Sequence, residues 1–578
     1  MTAAMHEYAG AYIPFWSGIV KALATRGIVL AACLVGTASV CWGAVAATDP
    51  STYAFGAPAP TQEPLPARMP DEPDGWTLVP EDDLAHAFAS RAVLLNQAVR
   101  LVLVRGGAGA AVYARTDDGF RRRAVLVPRL SATNDVPACT DLRLRENTRG
   151  AVAVAAAFRY PDGTMASALF RLTAGARSVE IRAMEGTARV GVRVNASHII
   201  VPDFFAGDIL FAAESAGGTP RETPVGTRLA VPAENCLLVH TREALLMGVW
   251  RSGAQHADLV LAPATADDPA IAGFEVEYTA DRPVWVASLE APRICERLHP
   301  AADRTAVETV AAWTPLFPAK WRAGRLGPDA APDTWDLGAE APPAWATRAG
   351  AGDVLLYPID RSRDTPLTML CPVDVLRDVL GVGPCRYILD AEGLGGEGGP
   401  TPAEVTEWVE RQFNRGRDAR GAEQIRGRLG AMRAHLARTA ARIRQYARWR
   451  EQVRALAPAE GEAVAGPVQE VIHILDDLGQ NLANGQDALK APDLAAPMIE
   501  QIAALIGRDG TVAEVQRLAV GLRELGASQD RTLARCRMAA RRLEAWARMA
   551  ADTASLADLA GAVRSQAEAM LRGREASP

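Results

Sequence analysis

The stretch Asn195-Ala-Ser-His198-Ile-Ile-Val-Pro-Asp203-Phe-Phe205 brings together a histidine, an amide, a carboxylate and two aromatic rings where a strand runs into a loop. His198 has the side chain suited to removing a proton near neutral pH, with Arg193 or Asn195 to hold an adjacent carboxylate. Asp203 and Phe205 are ligand-binding candidates, because a strand edge that offers a ring face beside a hydrogen-bonding group suits a sugar. Trp321, beside Lys320 in a tryptophan-rich segment from 313 to 345, is a third such candidate. The plainer reading makes His198 a satisfied polar group at a strand end, puts the phenylalanines in the core and makes the tryptophans packing staples.

Other chemistries are thinned out by what the chain lacks. It contains no H-E-x-x-H, G-x-S-x-G, S-x-x-K, EF-hand or G-K-[ST] pattern. Only Lys21, Lys320 and Lys490 are lysines, against 62 basic residues in all, so Schiff-base chemistry has almost no residue to use. No two of the histidines after residue 50 stand at i, i+2 or i, i+4, so no local metal pair is expected, and neither a metal nor a cofactor is predicted. Gly393-Leu-Gly-Gly-Glu-Gly398 matches G-x-G-x-x-G, but helix follows helix after it. No second strand completes a dinucleotide-binding unit, so it reads as a hinge. Cys371 and Cys385 bracket a short loop with Gly381, Gly383 and Pro384 and are the best candidates for a disulfide, the alternative being two free buried thiols.

These side chains need elements to position them. Gly27 to Ala47 is 21 residues without a charge, preceded by Lys21 and Arg26, so residues 1–47 are expected to be an export signal or an N-terminal anchor. Ala44, Ala46 and Ala47 offer a cleavage site, while Leu30-Ala-Ala-Cys33 looks like a lipoprotein box. The protein is then exported, periplasmic or extracellular, and touches a membrane only if residues 27–47 stay attached. Residues 48–75, with seven prolines, read as an extended linker. From 76 to 298 short apolar runs alternate with period two, as in Arg100–Arg105, Ala124–Val127 and Val190–Val194, and Asp118-Gly119 and Asp162-Gly163 supply tight turns. A large antiparallel β-sandwich is predicted there. Residues 299–400 form a connector rich in Trp, Pro and Gly, with short strands at 353–357 and 387–389 and a short helix at 373–380.

From 401 to 578 the period becomes helical. Thr401, Pro402 and Glu404 mark a helix start, and Ile425, Leu429, Met432, Leu436, Thr439, Ile443, Tyr446, Arg450 and Val453 form a heptad seam. Later amphipathic stretches fall at about 463–484, 492–507, 511–525, 528–553 and 555–573. An α-helical bundle or coiled-coil hairpin is expected, with self-association through the seam if that seam is exposed. Between 401 and 456 there are 13 arginines and 6 acids. That surplus suits an anionic partner, but the near absence of lysine throughout makes arginine the default basic residue here. Nucleic acid is not an expected partner of an exported chain with net charge −6.

Ala168-Leu-Phe-Arg-Leu-Thr-Ala-Gly175 followed by Ser178-Val-Glu-Ile-Arg182 resembles the strand and turn rhythm of the mutarotase-like supersandwich found in many carbohydrate-active proteins. The resemblance covers residues 90–320, and the whole chain is similar to uncharacterised exported bacterial proteins that join such a β part to a helical region. It implies a fold, and no catalytic residue is carried over with it. Two functions follow as expectations. The first is a non-catalytic envelope protein that binds a polysaccharide or another envelope component through its β domain and assembles through its helices. The second is a carbohydrate-active enzyme, a lyase or hydrolase, that uses His198.

Overall fold

A computed structural model describes residues 51–57, 65–69, 75–130, 135–204, 207–212, 228–241, 243–251, 255–262, 271–278, 282–300, 305–326, 334–338, 353–395, 400–413, 419–457, 466–506 and 511–572. The expected signal or anchor, most of the proline-rich stretch, Phe205 and Trp345 lie outside these residues.

The alternating runs become two antiparallel sheets. One has eleven strands, ordered from edge to edge Arg228–Val231, Ala257–Leu261, Ile271–Glu277, Arg189–Ala196, Gly119–Arg129, Ala110–Thr116, Val99–Val104, Arg91–Leu95, Tyr53–Ala57 and Thr77–Leu78, with Arg68–Met69 paired onto Gly119–Arg129. The other has nine, ordered Ile209–Ala212, His198–Val201, Cys236–His240, Leu245–Trp250, Val284–Leu289, Ser178–Ala183, Met165–Thr173, Ala151–Arg159 and Ala138–Asn147. Alternate residues such as Val190, Val192, Leu126, Val154, Phe170 and Val286 meet between them in one core. Each such side chain contributes about 1.5–3 kcal/mol by leaving water. The expected hairpins form where the turn chemistry demanded them. Gly119 adopts φ +105° while the Thr116 hydroxyl bonds Asp118 at 2.8 Å, and the Thr164 N–H donates to Asp162 Oδ1 at 2.9 Å.

Three expectations need correction. Tyr53–Ala57 and Arg68–Met69, expected in the linker, are strands, because the open edge of Arg91–Leu95 and the long Gly119–Arg129 strand offer unpaired backbone. This N-terminal stretch also brings Trp76 to the buried Arg100 guanidinium, 4.7 Å from the ring centre, beside the Phe120 ring at 4.1 Å. The connector forms a third sheet together with the strand just before it, ordered Glu296–Leu298, Val354–Asp360, Lys320–Arg325 and Thr334–Asp336. With the Pro372–Leu380 helix it covers the outer face of the nine-stranded sheet, packing Trp321, Leu355, Tyr357 and Leu376 with Leu238 and Met247. Residues 387–389 are helical, within Pro384–Ala391, because Pro384 starts a helix that turns its apolar face inward.

The helical region begins as expected. Thr401 N–H donates to Glu404 Oε2 at 2.7 Å, and Glu404 N–H returns to Thr401 Oγ1 at 3.3 Å. Helices Pro402–Gln412, Ala419–Arg454, Gly466–Asn484, Gln486–Ile506, Val512–Ala550 and Ala557–Leu571 form a bundle. The heptad residues Ile425, Leu429, Met432 and Leu436 are buried against Ile502, Val515 and Leu522 of later helices. Ile443, Tyr446 and Val453 pack with Leu475, Leu533 and Leu543. The apolar seam is therefore consumed inside the chain and is not free for self-association. The two stretches expected at 511–525 and 528–553 are one helix, and Gly526 in its middle is a contact point. A Cβ there would lie 2.7 Å from the Pro402 ring.

Candidate functional site

The residues first singled out do not converge. In Arg189–Ala196 the side chains of Val190, Val192, Val194 and Ala196 enter the sandwich core, which leaves Arg193 and exposed Asn195 on the outer face of the eleven-stranded sheet. The chain then crosses to the nine-stranded sheet. There Ile199 and Val201 point into the same core, so His198 and Ile200 face the opposite outside of the sandwich. Sheets in a sandwich lie about 10 Å apart, so His198 is separated from Arg193 and Asn195 by the whole double layer. His198 is 2 % exposed and stands opposite His240 on the next strand. The Ser197 hydroxyl bridges them, 2.9 Å from His198 Nδ1 and 3.0 Å from His240 Nδ1. One hydroxyl can donate to one ring and accept from the other, which closes the set. Burial, then His240 and Arg297, push His198 down to about 3, and burial with Arg297 pushes His240 down to about 4. Both imidazoles are neutral and weakly basic, which unsuits His198 for proton abstraction.

Asp203 and Trp321 are also interior. Trp321 is 3 % exposed, donates its ring N–H to the Phe317 carbonyl at 3.2 Å and packs on Trp313 and Phe317, so it is a staple and not a platform. Next to it, Arg322 bonds Asp208 Oδ1 at 2.5 Å, and the Tyr357 hydroxyl bonds Asp208 Oδ2 at 2.7 Å. The Asp203 N–H completes this set by donating to Asp208 Oδ1 at 2.7 Å. Burial, then the Asp208 charge, raise the Asp203 carboxyl well above its ordinary range, which favours its protonated form. Cys371 and Cys385 are free thiols rather than a disulfide. Cys371 is buried at the start of one helix, its N–H bound to Asp374 Oδ2 at 2.8 Å, while Cys385 is exposed on the next helix.

Sequence reasoning missed the joint between sandwich and bundle. Glu234, just before the Cys236–His240 strand, is gripped by Arg537 and Arg541 from the Val512–Ala550 helix at 2.6 and 2.9 Å. Arg537 also bonds Glu392 at 2.5 Å, and Glu392 accepts from Arg442 and the Tyr446 hydroxyl. A crevice beside this cluster is lined by Asp203, Asn235, Tyr387, Arg537 and Arg541 and has a volume of about 30 Å³. That admits a water or two and no sugar ring. The signal in the sequence was a charged stripe at helical spacing, Arg537, Arg541, Glu544 and Arg548, on a long helix whose other buried positions are mostly apolar.

The roomier site was also missed. Between the Pro402–Gln412 helix and the start of Ala419–Arg454 lies an open groove of about 450 Å³, lined by Trp408, Arg386, Arg411, Arg428, Glu404 and Glu407. The Arg428 guanidinium sits 4.8 Å from the Trp408 ring centre, and Arg411 bonds Glu407 at 2.7 Å. The groove is open rather than enclosing, so what it presents is convergent charged donors and acceptors beside an indole already covered by Arg428, an arrangement for polar contacts at a surface.

Among the described residues no cluster of three or more His, Cys, Asp or Glu is placed to hold a metal ion, and no helix is long and apolar enough to cross a membrane. No protein-family model matches the chain, and no curated protein matches it.

Proposed function

We propose that the chain is an exported cell-envelope protein that binds a polysaccharide or another envelope component without turning it over. The observation that carries this reading is the groove at Trp408, which gathers an indole covered by Arg428, further arginines and glutamates in a ligand-sized opening. The competing enzyme reading needs His198 beside a second proton-transfer group in a cleft. Against it stand the closed Ser197–His198–His240 set and the separation of His198 from Arg193 and Asn195. The β part then acts as a rigid scaffold, in keeping with its resemblance to a supersandwich, and binding falls to the helical part rather than to the sandwich. A glycan array with the purified chain, followed by product analysis by mass, tests this. Retention of a glycan that is lost in Trp408→Ala, with no change in ligand mass, is the expected result. A cleaved or eliminated product would replace it with the enzyme reading, and silence across the array would remove glycan binding.

A further inference from the structure

The Ala419–Arg454 helix carries ten arginines and two glutamates. At about 100° per residue, Arg426, Arg433, Arg444 and Arg448 fall within about 60° of one another on one flank of its exposed side, and Arg420 and Arg438 fall on the other. Between the flanks lie exposed Gly427, Ala434 and Ala441. A side chain added at Gly427 would meet nothing within 4 Å, and the two alanines carry only a methyl group, so this strip is an open trough.

Arg420, Arg433, Arg438 and Arg448 make no hydrogen bond or ion pair to a described residue. Arg444 meets only the Leu489 carbonyl at 3.1 Å, and Arg426 meets exposed Glu423 at 3.5 Å. The Val512–Ala550 helix serves as an internal comparison. There Arg523, Arg537, Arg541, Arg542 and Arg548 each hold a carboxylate. A proteome's habit of writing arginine explains how many arginines there are. It does not explain why one helix pairs most of its arginines with carboxylates while another leaves Arg420, Arg433, Arg438 and Arg448 with no carboxylate among the described residues.

We infer that this face binds an extended acidic polysaccharide, carboxylated or sulfated, which lies along the trough with its anions on the two arginine flanks. From Arg426 to Arg448 the face runs about 33 Å, long enough for several sugar units. The groove at Trp408 shares Arg428 with this helix but lies about 100° or more round it from the trough, so the two would engage separate parts of a glycan, and the inference rests on the glycan reading above. A bilayer is the poorer fit. Helices that lie on membranes insert large apolar side chains, and this helix exposes none.

The test uses the full chain on immobilised polygalacturonate, dextran sulfate and neutral dextran over a range of salt. The variants are Arg433→Glu/Arg444→Glu/Arg448→Glu, Ala434→Leu/Ala441→Leu and the control Arg517→Glu/Arg531→Glu on the other long helix, each checked for an unchanged melting curve. The acidic polymers should be retained and neutral dextran not, with affinity falling by counterion release as salt rises. The triple charge variant should lose at least tenfold in affinity. The leucine pair, which keeps every charge, should also lose affinity by filling the trough, and the control should bind as the parent does. Equal losses in the control and the triple variant would overturn the inference, as would retention on anionic phosphatidylglycerol vesicles without retention on either acidic polymer. Neutral dextran bound as well as the acidic polymers, in a manner lost in Trp408→Ala, would overturn the inference and leave the glycan reading standing. No binding to any of the three would overturn both.

Discussion

Glu234→Gln is the substitution that most directly tests how the sandwich and the bundle are held together. The Glu234 carboxylate accepts Arg537 Nε at 2.9 Å and Nη2 at 2.6 Å, and Arg541 Nε at 2.9 Å and Nη2 at 3.4 Å. Side-chain exposure is 15 % for Glu234, 5 % for Arg537 and 3 % for Arg541, so water cannot stand in for the lost charge. Breaking a buried ion pair by neutralising one partner costs about 3–5 kcal/mol. Each guanidinium keeps a second carboxylate, Glu392 for Arg537 and Glu544 for Arg541, which places the expected cost near the low end, about 3 kcal/mol. Guanidinium unfolding followed by tryptophan fluorescence measures it. Burial alone would raise the Glu234 pKa, but Arg537 and Arg541 outweigh burial and hold it well below its ordinary value of 4.5. A carboxylate with a depressed folded pKa stabilises fully above its unfolded pKa and loses that contribution as pH falls through the folded value. The gap between parent and variant should therefore be largest above about pH 5 and shrink on acidification. A gap under about 1 kcal/mol at pH 7, or one that widens below pH 4, would refute the reasoning.

Further outcomes are expected elsewhere. Burial, with nearby arginines or a second histidine, pushes His198 and His256 down to about 3 and His240 and His435 down to about 4. The unfolded chain then binds more protons than the folded one below about pH 6.5, so stability should fall with acidification by up to about 1.4 kcal/mol per pH unit for each histidine. A melting temperature that stays flat from pH 7 to pH 5 would contradict this. Gly273 has φ +140°, and a Cβ there would lie 1.9 Å from the Val192 carbonyl oxygen, so Gly273→Ala should cost at least about 3 kcal/mol and lower soluble yield. A parent-like melting curve would show that the strand can shift. Because Cys371 and Cys385 are free thiols, dithiothreitol should leave the melting temperature unchanged, and a drop would reveal a bridge.

Much of the fold was legible because its signals are local. Asp118-Gly119 and Asp162-Gly163 had to turn, since few residues other than glycine accept the positive φ that those hairpins use. Thr401 and Glu404 had to start a helix, because each satisfies the other's backbone N–H. The strand Cys236–His240 falls where its apolar run does. Residues 387–389 misled because Tyr-Ile-Leu suits either a strand or one turn of helix, and the tertiary contacts of Pro384–Ala391 decided the matter. The Tyr53–Ala57 strand was hidden because its pairing depends on the open edge of another strand rather than on its own pattern.

The candidate site was the least legible part. Composition and periodicity by themselves determined that a β part precedes a helical one, that the chain is arginine-rich and nearly lysine-free, and where the hairpins and helix starts fall. All of these depend on residues within about four positions of one another. Which face each side chain occupies was a tertiary decision. The crossing between sheets at Ser197 set His198 apart from Arg193, and the later helices covered the heptad seam. Glu234 and Arg537, 303 residues apart, became partners. That Arg420, Arg433, Arg438 and Arg448 meet no carboxylate among the described residues is known only from the tertiary structure, since neutralising a charge requires a carboxylate within about 4 Å in space, wherever it lies in the chain.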